Sequence, residues 1–171
     1  MPNAFLKVLQ VASLVVTSLL VGSLFGIWRG FDPAAFSPAT FVEVQQGAIR
    51  GLNTLLPVMG IVSIVLALAL GWLARGRGAR LLYVGAALAL AAAGIVTRFE
   101  NQPINEIVMS WSGVPPAGWQ ALRDNWWGWH VVRLAAAFVG QLLLINAVLA
   151  HCAAREDAAA ADLRPIAGKH A

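Results

Sequence analysis

The chain has 171 residues, of which 59% are hydrophobic and 12% charged, with a formal net charge of +4 and a single cysteine. A soluble domain carries about twice that share of charge, so lipid rather than water must solvate most of this chain. The length fits one domain. The lone Cys152 excludes an internal disulfide and a thiolate-rich metal site. The basic residues sit mostly at the ends of apolar runs, which is an orientation signal and not a nucleic-acid patch.

Residues 8–27 form a first apolar run of membrane-spanning length. It is longer than a signal-peptide core and ends in Phe-Gly-Ile-Trp-Arg rather than at a small-residue cleavage site. Gln10, Ser13 and Thr17 share one face of it. That face either points into a bundle or satisfies itself on its own helix. Ser37 followed by Pro38 predicts a helix start. A helix can then run to Ala74, with Gly47, Gly51 and Pro57 as kink points. Residues 53–74 of it form the second span, and the stretch 29–52 stands above the membrane. Glu43, Gln46, Arg50 and Asn53 fall on one helical face there, and Pro57, Gly60, Ala67 and Gly71 continue it as a stripe of small residues suited to close helix packing.

Arg75–Arg80 is a short basic turn, and residues 81–97 form the third span. The stretch from Thr97 to Arg133 is unlike the rest, because five of the seven tryptophans fall in it, with Asn101, Asn105 and His130. Asn101 and Asn105 flank Pro103, and Pro115-Pro116 is a break. An irregular cap is therefore expected over residues 98–116, then a helix from Trp119 that continues into a fourth span over residues 131–150. Residues 1–152 make the membrane domain, and residues 153–171 are expected to form a flexible cytoplasmic tail. The fold class is an all-α, integral membrane four-helix bundle with a helical or irregular cap over 29–52 and 98–130.

Charge sets the expected topology. With the N-terminus inside, Lys7, Arg75, Arg77, Arg80, Arg155, Arg164 and Lys169 face three acids on the inner side, while five arginines face five acids outside. The positive-inside rule then puts both termini in the cytoplasm and the cap outside, as expected of an inner (plasma) membrane protein. The balanced charges of the cap suggest ion pairs over a shared cavity.

Arg123, Trp126, His130, Arg133, Ala137 and Gln141 follow helical spacing on one face running from water into the membrane, with Trp127 beside it. An arginine inside a span needs protein, water or a carboxylate, and Glu43 and Glu100 are the natural partners. Alternatives stay open: Arg133 can snorkel to headgroups, the tryptophans can form an interfacial belt, and His130 can be a structural histidine. Asn101 and Asn105 can merely shape the turn at Pro103. Glu43, Glu100 and His130 are hard or borderline ligands suited to iron, manganese or zinc. Yet no carboxylate–histidine pair at helical spacing exists in the spans, so no metal ligand is assigned and a Glu/His-bound metal ion stays open. Haem held by two histidines is disfavoured by the spacing of His130 and His151, and a single axial ligand is left open.

Two stretches carry a resemblance. One is T-x-x-x-N-x-P-I-N at Thr97, Asn101, Pro103, Ile104 and Asn105. The other is W-x-x-x-R-x-x-W-x-x-x-H-x-x-R at Trp119, Arg123, Trp126, His130 and Arg133. With Phe41, Val44, Gln45, Gln46, Asn53 and Pro57, the chain resembles the anthrone-oxygenase-like family of small four-span membrane proteins. The resemblance implies a membrane oxygenase or oxidoreductase that acts with O₂ on a hydrophobic anthrone- or quinol-like aromatic, with no organic cofactor required. In that reading His130 or Glu43 is the base and Arg123 and Arg133 hold the resulting anion. Trp126 and Trp127 stack on the substrate, and Asn101, Asn105, Gln46, Asn53 and Glu100 bind it. The expected partners are membrane lipid and a hydrophobic small molecule, with no nucleic acid and with self-association left open. The competing reading is a non-catalytic binding or accessory subunit whose cap docks a lipid or a partner protein. A transporter is the weaker third option, because the spans carry no midplane charge.

Overall fold

The structure is a computed structural model that describes the backbone of residues 2–162 and the side chains of residues 4–154. It contains α1 (Pro2–Gly30), α2 (Pro38–Leu52), α3 (Leu55–Leu73), α4 (Arg77–Val96), α5 (Gln102–Met109) and α6 (Trp119–Asp162), with a π-helical turn at Thr97–Asn101. Four stretches are long and apolar enough to cross a membrane: Ala4–Gly30, Pro38–Leu73, Arg77–Met109 and Trp119–Ala154. At most 39% of the apolar window in any of them is buried. Leu19, Trp72, Leu88, Phe138 and Leu149 are among the large side chains left exposed, and only lipid can cover so much apolar surface. The expected all-α membrane bundle is thus the observed one.

Each of α1 and α4 packs against both α3 and α6, so the helices run α1, α3, α4, α6 around the bundle. Glycines fix the register of α4 against the antiparallel α6. A Cβ at Gly140 would stand 2.9 Å from Leu90 Cγ, one at Gly85 3.4 Å from Leu143, and one at Gly76 3.8 Å from Ala154. The same register brings Arg98 level with Arg133. On the other side, a Cβ at Gly71 would stand 3.2 Å from that of Tyr83. Away from the cap, α3, α4 and α6 therefore touch nearly backbone to backbone around Ala67, Leu70, Ala86 and Leu144.

Prolines shape the cap end. Ser37 caps α2, accepting from the Thr40 N–H at 3.2 Å, with Pro38 in the first turn. Pro57 has no N–H to donate to the carbonyl of Asn53, and its ring crowds that carbonyl. The helix expected to be continuous over 38–74 consequently breaks at Asn53 and Thr54 into α2 and α3. Pro103 acts likewise on the carbonyl of Phe99, but here the backbone widens: the Gln102 N–H reaches back five residues to the Thr97 carbonyl. The cap expected to be irregular over 98–116 is for this reason helical through Met109. Only residues 110–118 are irregular, with Gly113 at φ 87° and Gly118 at φ 80°. The basic turn is also shorter than expected, because α4 already starts at Arg77. At the other terminus α6 continues past residue 150 to Asp162. The part of the expected tail beyond 162 lies outside the described residues.

Candidate functional site

The cap is built by α2, α5 and the first turns of α6. Its apolar seam joins Phe41, Ile49, Ile104, Val108, Trp119 and Trp126, with the Phe41 and Trp119 rings 4.8 Å apart. Its polar ties are amides. The Gln46 side-chain amide donates to the Val108 and Trp111 carbonyls, at 2.9 Å each, and so ends the exposed C-terminal turn of α5. Asn105 accepts from the Trp126 indole N–H at 2.8 Å and donates to the Asn53 side-chain oxygen at 3.0 Å. Asn101, fully buried, donates to the Trp126 backbone carbonyl at 3.0 Å. The π-helical turn adds one residue of phase to the run from α4 into α5, and Asn101 and Asn105 both point at α6.

Below this seam lies a fixed aromatic and basic stack. His130 is completely buried and stacks on Trp126 at 5.3 Å and 4°, with Trp127 at 5.6 Å. Its Nδ1 accepts from Arg133 Nε at 3.1 Å and Nη2 at 2.9 Å, and its Nε2 lies 3.2 Å from the Leu24 carbonyl of α1. A carbonyl can only accept, so Nε2 carries the proton and Nδ1 offers the lone pair. Both ring nitrogens are engaged. Arg133 is only 6% exposed, lies over the Trp126 ring at 5.5 Å, and bonds to His130 through two of its three nitrogens.

A cavity of about 490 Å³ opens beside the stack. Leu20, Leu24, Ile49, Leu56, Leu90 and Trp126 supply its body, and Asn53, Arg98, Gln102 and Asn105 supply a polar rim. Arg133 and Gln45 are the buried polar side chains in its apolar wall. Gln45 is 1% exposed, and its Oε1 has no hydrogen-bond partner. The wall therefore offers one cationic donor to whatever fills it, while the Gln45 oxygen is sealed behind its surface. It holds no carboxylate and no imidazole, its ionisable members being Arg98 and Arg133.

The structure brings together Arg133, Trp126, Asn53 and Asn105 at the cavity. His130 does not line it but touches the lining residues Arg133, Trp126 and Leu24, and Asn101 reaches it through Trp126. Trp127 stacks behind His130, and Gln46 braces the cap. The face expected to hold Glu43, Gln46, Arg50 and Asn53 together divides: Gln46 and Asn53 bond inward, while Glu43 and Arg50 are exposed. Glu43 and Glu100 form no ion pair with Arg133. The ion pair found among the described residues joins neighbours on α6, Arg123 and Asp124, at 2.8 Å. Arg123 lies over Trp119 rather than in the cavity. The expected charge pairing across the cap is replaced by amide–indole pairing, because the acids of α2 and α5 face outward. Glu43, Glu100 and His130 are not gathered as ligands, and no group of three or more His, Cys, Asp or Glu occurs among the described residues.

Two features beside the cavity lay outside the expected site. Gln45 was legible from the spacing Phe41, Gln45, Ile49, which marks the buried face of α2. The Leu24 carbonyl that orients His130 carries no sequence signal.

Residues 48–143 match the sequence model of a family described as Anthrone oxygenase. The matched region runs from α2 into α6 and includes Asn101, Asn105, Trp126, His130 and Arg133. No curated protein matches the chain, and no solved structure does.

Proposed function

The chain belongs to the anthrone oxygenase family, and from that premise we propose that it is a membrane-embedded oxygenase acting on a flat, hydrophobic anthrone- or quinol-like aromatic. The observation that supports this most is the apolar cavity with the Arg133 guanidinium in its wall. Anthrones ionise to electron-rich aromatic oxyanions, and a cation held in a dry wall favours the anion far more than it would in water. Arg133 is the residue that holds the anion. Among the described residues its Nε and Nη2 are spent on His130, which leaves Nη1 for the substrate oxygen. His130 is a positioning residue, because its accepting Nδ1 fixes the guanidinium and its Nε2–H is spent on Leu24. Trp126 offers its ring.

The overall step balances without a further reductant. The ring CH₂ becomes a carbonyl and gives up four electrons. One atom of O₂ becomes that carbonyl oxygen, and the other leaves as water with the two hydrogens. The electrons come from the bound anion, so the protein's contribution is to populate that anion next to dissolved O₂.

The test is O₂ uptake and quinone absorbance with a dihydroxyanthrone in proteoliposomes. Wild type is expected to turn over and Arg133→Gln to fall by about 100- to 1,000-fold, the effect of losing one preorganised anion-stabilising group. No uptake by wild type, or equal uptake by Arg133→Gln, rejects the assignment. The same reading places the cap outside and both termini in the cytoplasm, since exposed Arg75, Arg77 and Arg80 lie at the opposite end. An impermeant thiol reagent should label Ser112→Cys and spare Gly76→Cys in intact cells; the reverse labelling inverts the orientation.

A further inference from the structure

The cavity has a side as well as a top. Several residues that line it also face outward: Ile61 on α3 is 62% exposed, Ile95 on α4 is 59% exposed, and Phe99 is 70% exposed. Gly60, Ala91 and Gly94 line it between them. The α3–α4 seam explains this. Where the chain turns from α3 to α4 the two helices are in contact, Gly71 against Tyr83. Toward the cap, level with Gly60 and Gly94, no such contact is found. A Cβ at Gly94 would meet nothing within 4 Å, and one at Gly60 would meet only Leu20, at 4.0 Å.

The depth of this opening decides what it faces. Arg77 and Arg98 are 21 residues apart on one helical run, about 31 Å of helix, which matches the hydrocarbon core. With those arginines at the two interfaces, Gly94 lies about 6 Å and Ala91 about 10 Å inside the core. The lower part of the opening is therefore apolar and faces acyl chains. Its upper rim, where Arg98 donates to Gln102 at 3.2 Å, sits at headgroup level. On the water side the cap spans the cavity with the Trp126–Asn105–Asn53 bonds, the Gln46 brace and the Phe41–Trp119 contact.

We propose that the cavity is loaded sideways from the membrane, through the opening between α3 and α4 bounded by Gly60, Ile61, Gly94 and Ile95, by a flat aromatic dissolved in the adjacent leaflet. This rests on the oxygenase reading for the class of ligand but concerns its route. The route suits a substrate whose apolar rings enter along the acyl chains while its oxygens follow the polar rim to Arg133.

The experiment uses anthraquinone, which abstracts hydrogen under near-ultraviolet light and so labels the side chains around it. In a Cys152→Ser background, Ile61→Cys and Ile95→Cys are bridged across the opening with a bis-methanethiosulfonate on a short alkyl spacer. The protein is reconstituted in phosphatidylcholine vesicles. Anthraquinone is then added in a second population of the same vesicles, followed by a brief flash and adduct mapping by mass spectrometry. Before bridging, adducts are expected on Leu20, Leu90 and Trp126, as well as on lipid-facing Trp72. After bridging, the cavity adducts should fall at least tenfold while those on Trp72 stay constant, and a reducing thiol should restore them. Gly94→Leu, whose Cβ would meet nothing within 4 Å, should reduce the cavity adducts in the same way without a bridge. Cavity adducts that persist at full yield in the bridged protein and in Gly94→Leu overturn the lateral route and leave the cavity's function standing. Their absence from the unbridged protein overturns both.

Discussion

The two halves of the bundle solve opposite problems with the same four spans. Away from the cap, small residues let α3, α4 and α6 approach until a Cβ at Gly140 would collide with Leu90. Packing there is close, and among the described residues Ser13, Thr17 and Ser63 are buried with no partner for their hydroxyls. At the cap, Pro57 breaks one span and Pro103 rephases another. The helices part, and the polar groups of that half tie to one another through Asn105, Trp126, His130 and Arg133. Close packing is thus concentrated where the helices touch, and the cavity lies where they do not. Glycine means different things in the two halves: Gly140 is required for contact, whereas Gly94 marks an opening.

The largest effect expected from this division falls on turnover. Arg133→Gln should remove activity while leaving the thermal unfolding midpoint near wild type, because the packed half is untouched. His130 refines the point. His130→Asn keeps an acceptor near the position of Nδ1 and should retain more activity than His130→Ala. A histidine acting as the base would make the two variants equally inactive, so equal rates would sink the positioning role.

Next come the glycines. Gly140→Val should cost about 1–3 kcal/mol through overpacking, whereas Gly94→Ala should cost less than about 0.5 kcal/mol. Thermal unfolding in detergent compares them. Equal losses would erase the distinction between the two halves.

A comparable effect is expected from the cap amide. Asn105→Leu leaves the buried Trp126 N–H without its acceptor, at about 1–3 kcal/mol, and should shift tryptophan emission. Glu43→Gln, on the exposed face of the same cap, should change neither stability nor rate. A large loss in Glu43→Gln would return that carboxylate to the site.

Much of this arrangement was legible in the sequence, and the reasons are local. Twenty apolar residues must cross a bilayer, Ser37-Pro38 must start a helix, and Trp126, His130 and Arg133 must share a face whatever surrounds them. Partnership was less legible. Helical spacing puts Glu43 and Gln46 on neighbouring positions but cannot say which of them the second element covers. That depends on α5, whose existence turned on Pro103 widening a helix rather than ending it. A proline constrains the carbonyl four residues back, and the surrounding packing decides between a break, as at Pro57, and a π-helical turn, as at Thr97–Asn101. The opening between α3 and α4 was illegible for the same reason.

The central claim is that Arg133 holds an aromatic oxyanion in an apolar wall. The most direct test needs no turnover: a spectroscopic pH titration of a dihydroxyanthraquinone, whose phenolate absorbs at longer wavelength than the phenol. Bound to the wild-type protein in vesicles, the phenol should ionise at a pH about one to three lower than in vesicles alone, as an adjacent cation dictates, and Arg133→Gln should abolish the difference. An ionisation unchanged by wild-type protein, or lowered equally by Arg133→Gln, would contradict the account.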